Sequence, residues 1–328
     1  MSATGPDSGA VSPPPLPLHV VEQFALGLQL RNQGYRGRFA PSPTGPLHAG
    51  NLRTALLAWL GARLARGVIL LRIDDLDAPR NRPGAVEAIQ TDLAWLGLTW
   101  DGPVELQSRQ RGLYATVLSG LRRGGWLYPC RCSRRMLADV SAPHGASPIY
   151  PGTCRRQPPD WSARGGRLPS WRLRLPPGSI RWQERYAAPG CLDAATQVGD
   201  VVLRRADGFL AYHLATAVDE LRLGITEVVR GVDLWPATGP QVALMGLLGM
   251  APPAYGHVPL LCDGRGQRLS KRDGAEGLEG MRRRGLDAPA VIGLLAAGAG
   301  LVPTGSRLSA TELLQEVRPQ SLAQALQA

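Results

Sequence analysis

The chain contains almost no lysine. Of its 37 basic residues, Lys271 is the only lysine and all the others are arginines. The net charge of +11 favours a polyanionic partner such as nucleic acid, but a chain that uses arginine nearly everywhere makes the arginine count a weak indicator. The single lysine is more informative, because a compact ammonium forms contacts that a planar guanidinium cannot reproduce. Lys271 is therefore a candidate functional residue, and chance retention of a surface lysine is the alternative.

Long apolar runs and a charged N-terminus are also missing. No stretch approaches the ~18 uninterrupted apolar residues of a membrane span. Residues 1–17 carry no basic residue, whereas a signal peptide begins with a positively charged region. The five cysteines indicate a reducing compartment rather than a disulfide framework. These absences predict a cytoplasmic protein without membrane contact. We expect residues 1 to about 18 to be disordered, and 18–30 to form at most a short helix.

Two common phosphate-binding signatures, G-x-x-x-x-G-K-[ST] and a G-x-G-x-x-G after a strand, are absent. Residues 37–60 instead predict a strand, a tight turn and a helix that begins at about Leu47. The start of this helix offers free N–H groups and a positive dipole end, which is a seat for a phosphate. His48 lies within reach of that seat, and Gly50 leaves room for a nucleotide. An ordinary strand–helix turn with a surface histidine is the alternative.

A second strand follows at Val68–Ile73, and its continuous apolar sequence is typical of a buried parallel sheet. It ends in the acidic residues Asp74, Asp75 and Asp77, at the edge where doubly wound α/β proteins bind their ligands. These carboxylates could hold an amine, a ribose or a metal; a solvated acidic turn is the alternative. An irregular, Pro- and Gly-rich stretch then separates two parts with α/β patterning, so we expect an insert in the domain.

Three of the cysteines, Cys130, Cys132 and Cys154, lie in this insert, with His144 and Tyr150 between them. Closely spaced thiols in an irregular segment suggest a structural zinc site, although the spacing does not identify the fourth ligand. Buried thiols without a metal are the alternative. The isolated Cys191 and Cys262 are expected to be small core residues.

Taken together, these segments resemble the class I aminoacyl-tRNA synthetases of the glutamyl type. The tetrapeptide HAGN at 48–51 matches the HIGH signature of that family, and RLSKR at 268–272 matches its KMSKS signature. The segments RFAPSPTGPLHAGN, RIDDLDAPR, YHLATAVDE and VVRGVDL occur in the family's order, and the resemblance covers about residues 36–275. It implies an α/β fold: a Rossmann-type doubly wound parallel sheet, an inserted zinc-containing α+β subdomain and a short helical C-terminal part.

The resemblance divides the chain into five parts. These are an N-terminal extension (1–35), the first half of the catalytic domain (36–115), the insert (116–205), the second half (206–262), and a KMSKS-type loop with a helical remnant (263–328). No part corresponds to an anticodon-binding domain.

The family's functional residues map onto this chain by position. His48 and Lys271 would be catalytic, and the ATP-binding residues would be His48, Gly50, Asn51, Ser270 and Lys271. Glutamate would contact Arg38, Phe39, Ala40, Pro41, Ser42, Asp74, Tyr212 and Arg230. Two arginines suit a substrate with two carboxylates. One structural Zn²⁺ would be bound by Cys130, Cys132, Tyr150 and Cys154, with Tyr150 preferred over His144, and Mg²⁺ would bridge the phosphates of ATP.

The short members of the family imply an activity. L-glutamate would be activated with ATP without tRNA and then transferred to the queuosine base in the anticodon of tRNA(Asp), by a monomer. A truncated glutamyl-tRNA synthetase that acylates a tRNA 3′ end and a non-catalytic, zinc-stapled RNA-binding relic are the alternatives. Asp74 departs from the family, which usually has Glu there. Asn51 stands for the second histidine of HIGH, and Arg268 for the first lysine of KMSKS.

Overall fold

The computed structural model describes residues 13–133, 136, 149–259 and 277–327. Its helices are α1 (Leu18–Asn32), α2 (Ala49–Leu64), α3 (Ala85–Trp95), α4 (Arg111–Arg123), α5 (Tyr212–Arg222), α6 (Trp235–Leu247), α7 (Leu278–Arg283), α8 (Ala288–Ala297), α9 (Ala310–Glu316) and α10 (Pro319–Ala325). Its strands are β1 (Arg36–Phe39), β2 (Val68–Ile73), β3 (Glu105–Leu106), β4 (Leu127–Cys130), β5 (Ser170–Leu173), β6 (Ser179–Trp182), β7 (Gly190–Asp193), β8 (Val202–Arg204), β9 (Glu227–Gly231) and β10 (Ala254–Val258).

Parallel strands form the centre of the molecule. β1, β2 and β3 pair in parallel, and β9 pairs in parallel with β10. The two groups meet where the Thr226 N–H donates to the Arg36 carbonyl at 2.9 Å, which gives the order β10, β9, β1, β2, β3. The carboxyl ends of all these strands therefore lie at one edge, as the sequence predicts.

Helices cover both faces of these strands. Ile69 and Leu71 pack into one hydrophobic cluster with α2, α3, α8, α9 and α10, while Leu70, between them, packs into a second cluster with α1, α4, α5 and α6. Alternate residues of a strand point to opposite faces, so a strand buried on both faces is apolar throughout. The predicted doubly wound α/β fold is confirmed.

The insert consists largely of antiparallel strands. β5 pairs with β4 and β8, and β6 forms a hairpin with β7. Cys191, expected to be a core residue, lies on β7 and is exposed. That expectation is wrong, because the side chains of a two-stranded hairpin alternate between a packed and a solvated face. Cys262 lies outside the described residues.

The N-terminal extension packs on the domain from residue 13 onward. Val20 and Phe24 of α1 are buried, and Gly27 lies so close to α5 that a Cβ there would be 2.0 Å from the Leu221 carbonyl oxygen. The Pro15 carbonyl accepts a hydrogen bond from Arg123 at 3.2 Å. The expectation of disorder therefore does not hold for residues 13–17, and residues 1–12 lie outside the described part. Among the described residues, no helix is both long and apolar enough to cross a membrane.

Candidate active site

A cavity of about 200 Å³ lies at the carboxyl ends of β1 and β9, against the start of α2. It is lined by most of the residues that the sequence singles out, namely Arg38, Phe39, Ala40, Pro41, His48, Gly50, Asn51, Tyr212 and Arg230. Ser42 and Asp74 line an adjoining cavity, which shares Ala40 and Tyr212 with the first. The fold thus brings all the described candidates for glutamate and ATP binding to one place. Ser270 and Lys271 lie outside the described residues.

His48 is the N-cap of α2. Its Nδ1 accepts hydrogen bonds from the N–H groups of Gly50 at 3.1 Å and Asn51 at 3.4 Å, and Asn51 Oδ1 accepts from the His48 N–H. Two backbone donors at Nδ1 require a lone pair on that atom, so the proton of the neutral ring is on Nε2. In this tautomer His48, one of the residues that line the cavity, carries its ring N–H on Nε2.

The expectations for the first turn of α2 are corrected in two respects. The Gly50 and Asn51 N–H groups are not free for a phosphate, because the His48 ring already occupies them. Gly50 does not leave an open space either: a Cβ there would lie 3.0 Å from His48 Cε1. The glycine is needed so that the histidine ring can fold back over its own helix.

A buried network of charges lies under the cavity. Arg38 donates to Glu220 Oε1 through Nε at 2.8 Å, and Arg72 donates to the same oxygen at 3.2 Å. Arg72 also holds Asp74 by two contacts, of 2.7 Å to Oδ1 and 3.2 Å to Oδ2. Burial raises the pKa of Glu220, but Arg38 and Arg72 more than offset this and hold it below its usual value. For Asp74 burial prevails, and its pKa lies above its usual value although Arg72 opposes the shift.

Arg230 differs from Arg38 in the charge of its partners. Its guanidinium donates to Gln241 Oε1 at 2.9 Å, Thr238 Oγ1 at 2.7 Å, Tyr212 Oη at 3.4 Å and His257 Nε2 at 3.3 Å. Within the described residues, these hydrogen-bond acceptors are all uncharged side chains. Arg38 is thus neutralised by a carboxylate in direct contact, whereas Arg230 brings a positive charge to the cavity wall.

Sequence reasoning missed the residues that bind Arg38 and Arg230 directly or that bind their partners. They are Arg72, Thr238, Gln241, Glu184, His257 and Glu220. Only Arg72 left a signal, as a charged residue within the otherwise apolar run of β2. The partners of Arg38 and Arg72 on α5 are 182 and 148 residues away in sequence, a separation at which spacing carries no information.

The thiols of Cys130, Cys132 and Cys154 converge in the insert. Their sulfur atoms lie within 4.8 Å of one another, and those of Cys132 and Cys154 are 3.7 Å apart. In a tetrahedral site with Zn–S bonds of about 2.3 Å, the sulfurs are about 3.8 Å apart, so the thiols fit a zinc ion. The Tyr150 hydroxyl lies 3.4 Å from the Cys130 sulfur and 3.8 Å from that of Cys132. His144 lies outside the described residues.

The two described residues next to the stretch 260–276, Pro259 and Gly277, both contact the region of α2. Pro259 lines the cavity and its carbonyl accepts a hydrogen bond from Arg53 of α2. On the other side, Gly277 forms an antiparallel bridge with His48. Residues 260–276 lie outside the described part. Of the two residues that flank them, Pro259 contacts the second turn of α2 and Gly277 contacts its N-cap.

Comparisons with known proteins agree with this geometry. The sequence model of the family described as "tRNA synthetases class I (E and Q), catalytic domain" matches residues 35–296. The chain is 58% identical over 303 residues to a protein of Prochlorococcus marinus (strain MIT 9313) named Glutamyl-Q tRNA(Asp) synthetase, covering 92% of this chain and 94% of that protein. It is 46% identical over 297 residues to a protein of the same name from Nocardia farcinica (strain IFM 10152), covering 88% of this chain and 91% of that protein. A crystal structure of a glutamate tRNA ligase from Elizabethkingia meningosepticum in complex with its amino acid superposes with a TM-score of 0.74 at 27% identity.

The chain therefore belongs to the class I tRNA synthetases for glutamate and glutamine, and it is an ATP-dependent ligase. Its similarity extends over nearly the whole length of the relatives named Glutamyl-Q tRNA(Asp) synthetase, of which it covers 94% in the Prochlorococcus protein. The superposition on the glutamate tRNA ligase covers 90% of this chain but 66% of that structure's chain.

Proposed function

We propose that this protein activates L-glutamate with ATP in the absence of tRNA and transfers the glutamyl group to the queuosine base in the anticodon of tRNA(Asp). The activation of glutamate is supported by one observation, the positive charge of Arg230 at the wall of the cavity under the start of α2. The second half is supported by the name of the relatives that the chain matches over nearly their full length.

Glutamate fits the distribution of charge in the cavity. A substrate carboxylate beside Arg230 would receive a charge-assisted hydrogen bond from the remaining N–H of Nη2 without displacing another carboxylate. Asp74, in the adjoining cavity, would accept from the α-ammonium with the lone pairs that Arg72 does not use. Because Asp74 is one methylene shorter than glutamate and is drawn toward Arg72, this contact would be longer than in relatives with Glu. Phe39, Ala40, Pro41, Ser42 and Tyr212 would complete the walls.

The reaction needs two anions to be held together. A carboxylate oxygen of glutamate attacks the α-phosphorus of ATP, the bond from that phosphorus to the bridging oxygen of pyrophosphate breaks, and glutamyl-adenylate forms. The Nε2–H of His48 would donate to the α-phosphate, and the ammonium of Lys271 would neutralise the departing pyrophosphate. Gly50, Asn51 and Ser270 would form the remaining wall around the nucleotide. Mg²⁺, bound to the phosphates, would supply further neutralisation of charge.

The positions of Pro259 and Gly277 support the role of Lys271. Lys271 is six residues before Gly277, and six residues of extended chain can span at most roughly 21 Å. Gly277 itself bridges to His48. A single ATP could therefore be contacted by both signatures.

We further propose one structural Zn²⁺ at Cys130, Cys132, Cys154 and Tyr150. The Tyr150 oxygen points at the thiols, and the guanidinium carbon of Arg172 lies 3.7 Å from the centre of the Tyr150 ring. A positive charge over the ring stabilises the phenolate, which is the form in which a tyrosine oxygen binds zinc. We also propose that the protein acts as a monomer in the cytoplasm.

The transfer step is tested with radiolabelled glutamate and separate tRNAs. With ATP, we expect label on queuosine-containing tRNA(Asp), none on tRNA(Asp) from cells that lack queuosine, and none on tRNA(Glu). After nuclease digestion the label should stay with the anticodon fragment. Label on tRNA(Glu), or label released with the 3′-terminal nucleotide, would contradict the proposal in favour of a truncated glutamyl-tRNA synthetase.

A further inference from the structure

The side chain of His257 lies directly behind Arg230. Its Nε2 is 3.3 Å from Arg230 Nε and 3.2 Å from Thr238 Oγ1. Its Nδ1 is 2.9 Å from Glu184 Oε1 and 3.1 Å from Oε2. His257 lines the cavity on the side of Trp235 and Cys191, not the cavity that Arg230 lines.

These contacts determine the tautomer of His257. Arg230 Nε carries a hydrogen and has no lone pair, so Nε2 of the imidazole must be the acceptor in that contact. The ring proton is then on Nδ1, where the Glu184 carboxylate accepts it. A protonated imidazole would direct an N–H, and a second positive charge, at the guanidinium. Burial lowers the pKa of His257 and Arg230 lowers it further, while Glu184 opposes both, so that the ring is neutral at neutral pH.

Glu184 is itself fixed by the insert. It follows β6, accepts a hydrogen bond from Trp182 Nε1 at 2.6 Å, and forms a parallel bridge with Tyr255. The side chains of His257 and Glu184 are each 5% exposed. The imidazole also stacks on the Tyr255 ring, with an interplanar angle of 2°. The orientation of His257 is therefore set from three sides.

We infer that His257, held by Glu184, is a positioning residue for glutamate recognition: it fixes the Nε side of Arg230 so that the one N–H of Nη2 that Thr238 does not use faces the substrate. This inference rests on the proposed function. His257 and Glu184 do not touch the substrate. Their effect is on the geometry of Arg230, because a guanidinium that can rotate loses its directed contacts to a carboxylate.

Two substitutions of His257 separate positioning from a general structural role. In His257→Asn the amide reaches Glu184 but offers no acceptor to Arg230. In His257→Gln the longer side chain places a carbonyl oxygen near the position of Nε2. We expect His257→Asn to raise the KM for glutamate about tenfold in glutamate-dependent ATP–pyrophosphate exchange, the loss typical of one hydrogen bond to a charged group. The KM for ATP should be unchanged, and His257→Gln should restore the KM for glutamate to within about threefold of the wild-type value.

The pH dependence gives a readout that packing alone would not change. The charged and aromatic groups that face His257 are Arg230, Glu184 and Tyr255, with Arg38 acting at longer range. As pH falls through the lowered pKa of His257, the ring gains a proton and the KM for glutamate should rise. Glu184→Gln removes the group that raises this pKa, so the rise should move to lower pH, and in His257→Gln it should be absent. His19→Asn, which replaces an exposed histidine of α1, is the matched control and should behave as the wild type.

The outcomes distinguish this inference from the proposed function. Wild-type protein without glutamate-dependent exchange would overturn both. Active wild-type protein with an unchanged KM for glutamate in His257→Asn, or a pH profile that Glu184→Gln does not move, would overturn the positioning role alone. A loss of kcat and of thermal stability at constant KM in both His257 variants would also overturn it, in favour of a packing role.

Discussion

The substitution Glu220→Gln tests whether the charge network under the cavity is organised as the structure indicates. Glu220 is 1% exposed and its Oε1 accepts from both Arg38 and Arg72. Glutamine has the same shape and can still accept these hydrogen bonds, so the change removes the charge and little else. Arg72 would keep Asp74 as a carboxylate partner, but Arg38 would lose the carboxylate with which it is paired.

The free energy of unfolding should therefore fall by the amount expected for one buried cation without a carboxylate partner, not two. Removing one partner of a buried ion pair costs about 3–5 kcal/mol. For a chain of 328 residues that corresponds to a fall of roughly 4–7 °C in the thermal denaturation midpoint. The measurement is a thermal or urea denaturation curve, with Glu316→Gln as the control, because Glu316 is an exposed glutamate at the end of α9.

The pH dependence has a definite sign. The pKa of Glu220 is held below its usual value in the folded protein, so its contribution to stability is present above the unfolded-state pKa of about 4.3. It is lost as pH falls through the folded-state pKa. The stability difference between wild type and Glu220→Gln should therefore narrow under acid conditions. A cost below about 1 kcal/mol at neutral pH would refute the reasoning, since it would mean that Arg38 finds another anion or water.

Three further predictions concern other parts of the molecule. Gly27→Ala places a Cβ 2.0 Å from the Leu221 carbonyl oxygen and should destabilise the fold by about 1–3 kcal/mol in urea denaturation. Gly112→Ala is the control and should not destabilise the fold, because no neighbouring atom lies within 4 Å of the Cβ that it adds. Cys154→Ser should lose bound zinc in metal analysis of the purified protein, and Cys191→Ser, at an exposed thiol outside the cluster, should keep it; equal zinc contents would contradict the assignment. Lys271→Arg keeps the charge but should reduce ATP–pyrophosphate exchange at least about tenfold, because the guanidinium is planar and larger; near wild-type activity would show that the solitary lysine has no special role.

The sequence predicted the fold where its physical signal is local. The apolar run of β2 and the helical periodicity of α2 depend on neighbouring residues, and both elements are present. Element boundaries were less predictable. The local rule that proline interrupts a helix would place a helix start after Pro240, yet α6 begins at Trp235 and contains that proline. Trp235 packs against Trp182 of β6, with ring centroids 5.3 Å apart, which is a tertiary contact that a local rule does not include.

The site was predictable as a set of residues but not as a set of interactions. Resemblance placed Arg38 and Arg230 together, and the structure brings both to one cavity. It gave no reason to expect that Arg38 is neutralised by Glu220 while Arg230 is held by uncharged groups. The folding of the His48 ring onto its own helix was likewise not evident, because a histidine before a helix can point either way until tertiary contacts decide.

The central claim is that this cavity activates glutamate with ATP before any RNA is bound. Its most direct test is ATP–pyrophosphate exchange by the wild-type protein without tRNA, with L-glutamate, L-glutamine or L-aspartate as the amino acid. We expect exchange with L-glutamate and strong discrimination against the other two amino acids. Exchange that requires tRNA, or that proceeds equally well with L-glutamine, would contradict it.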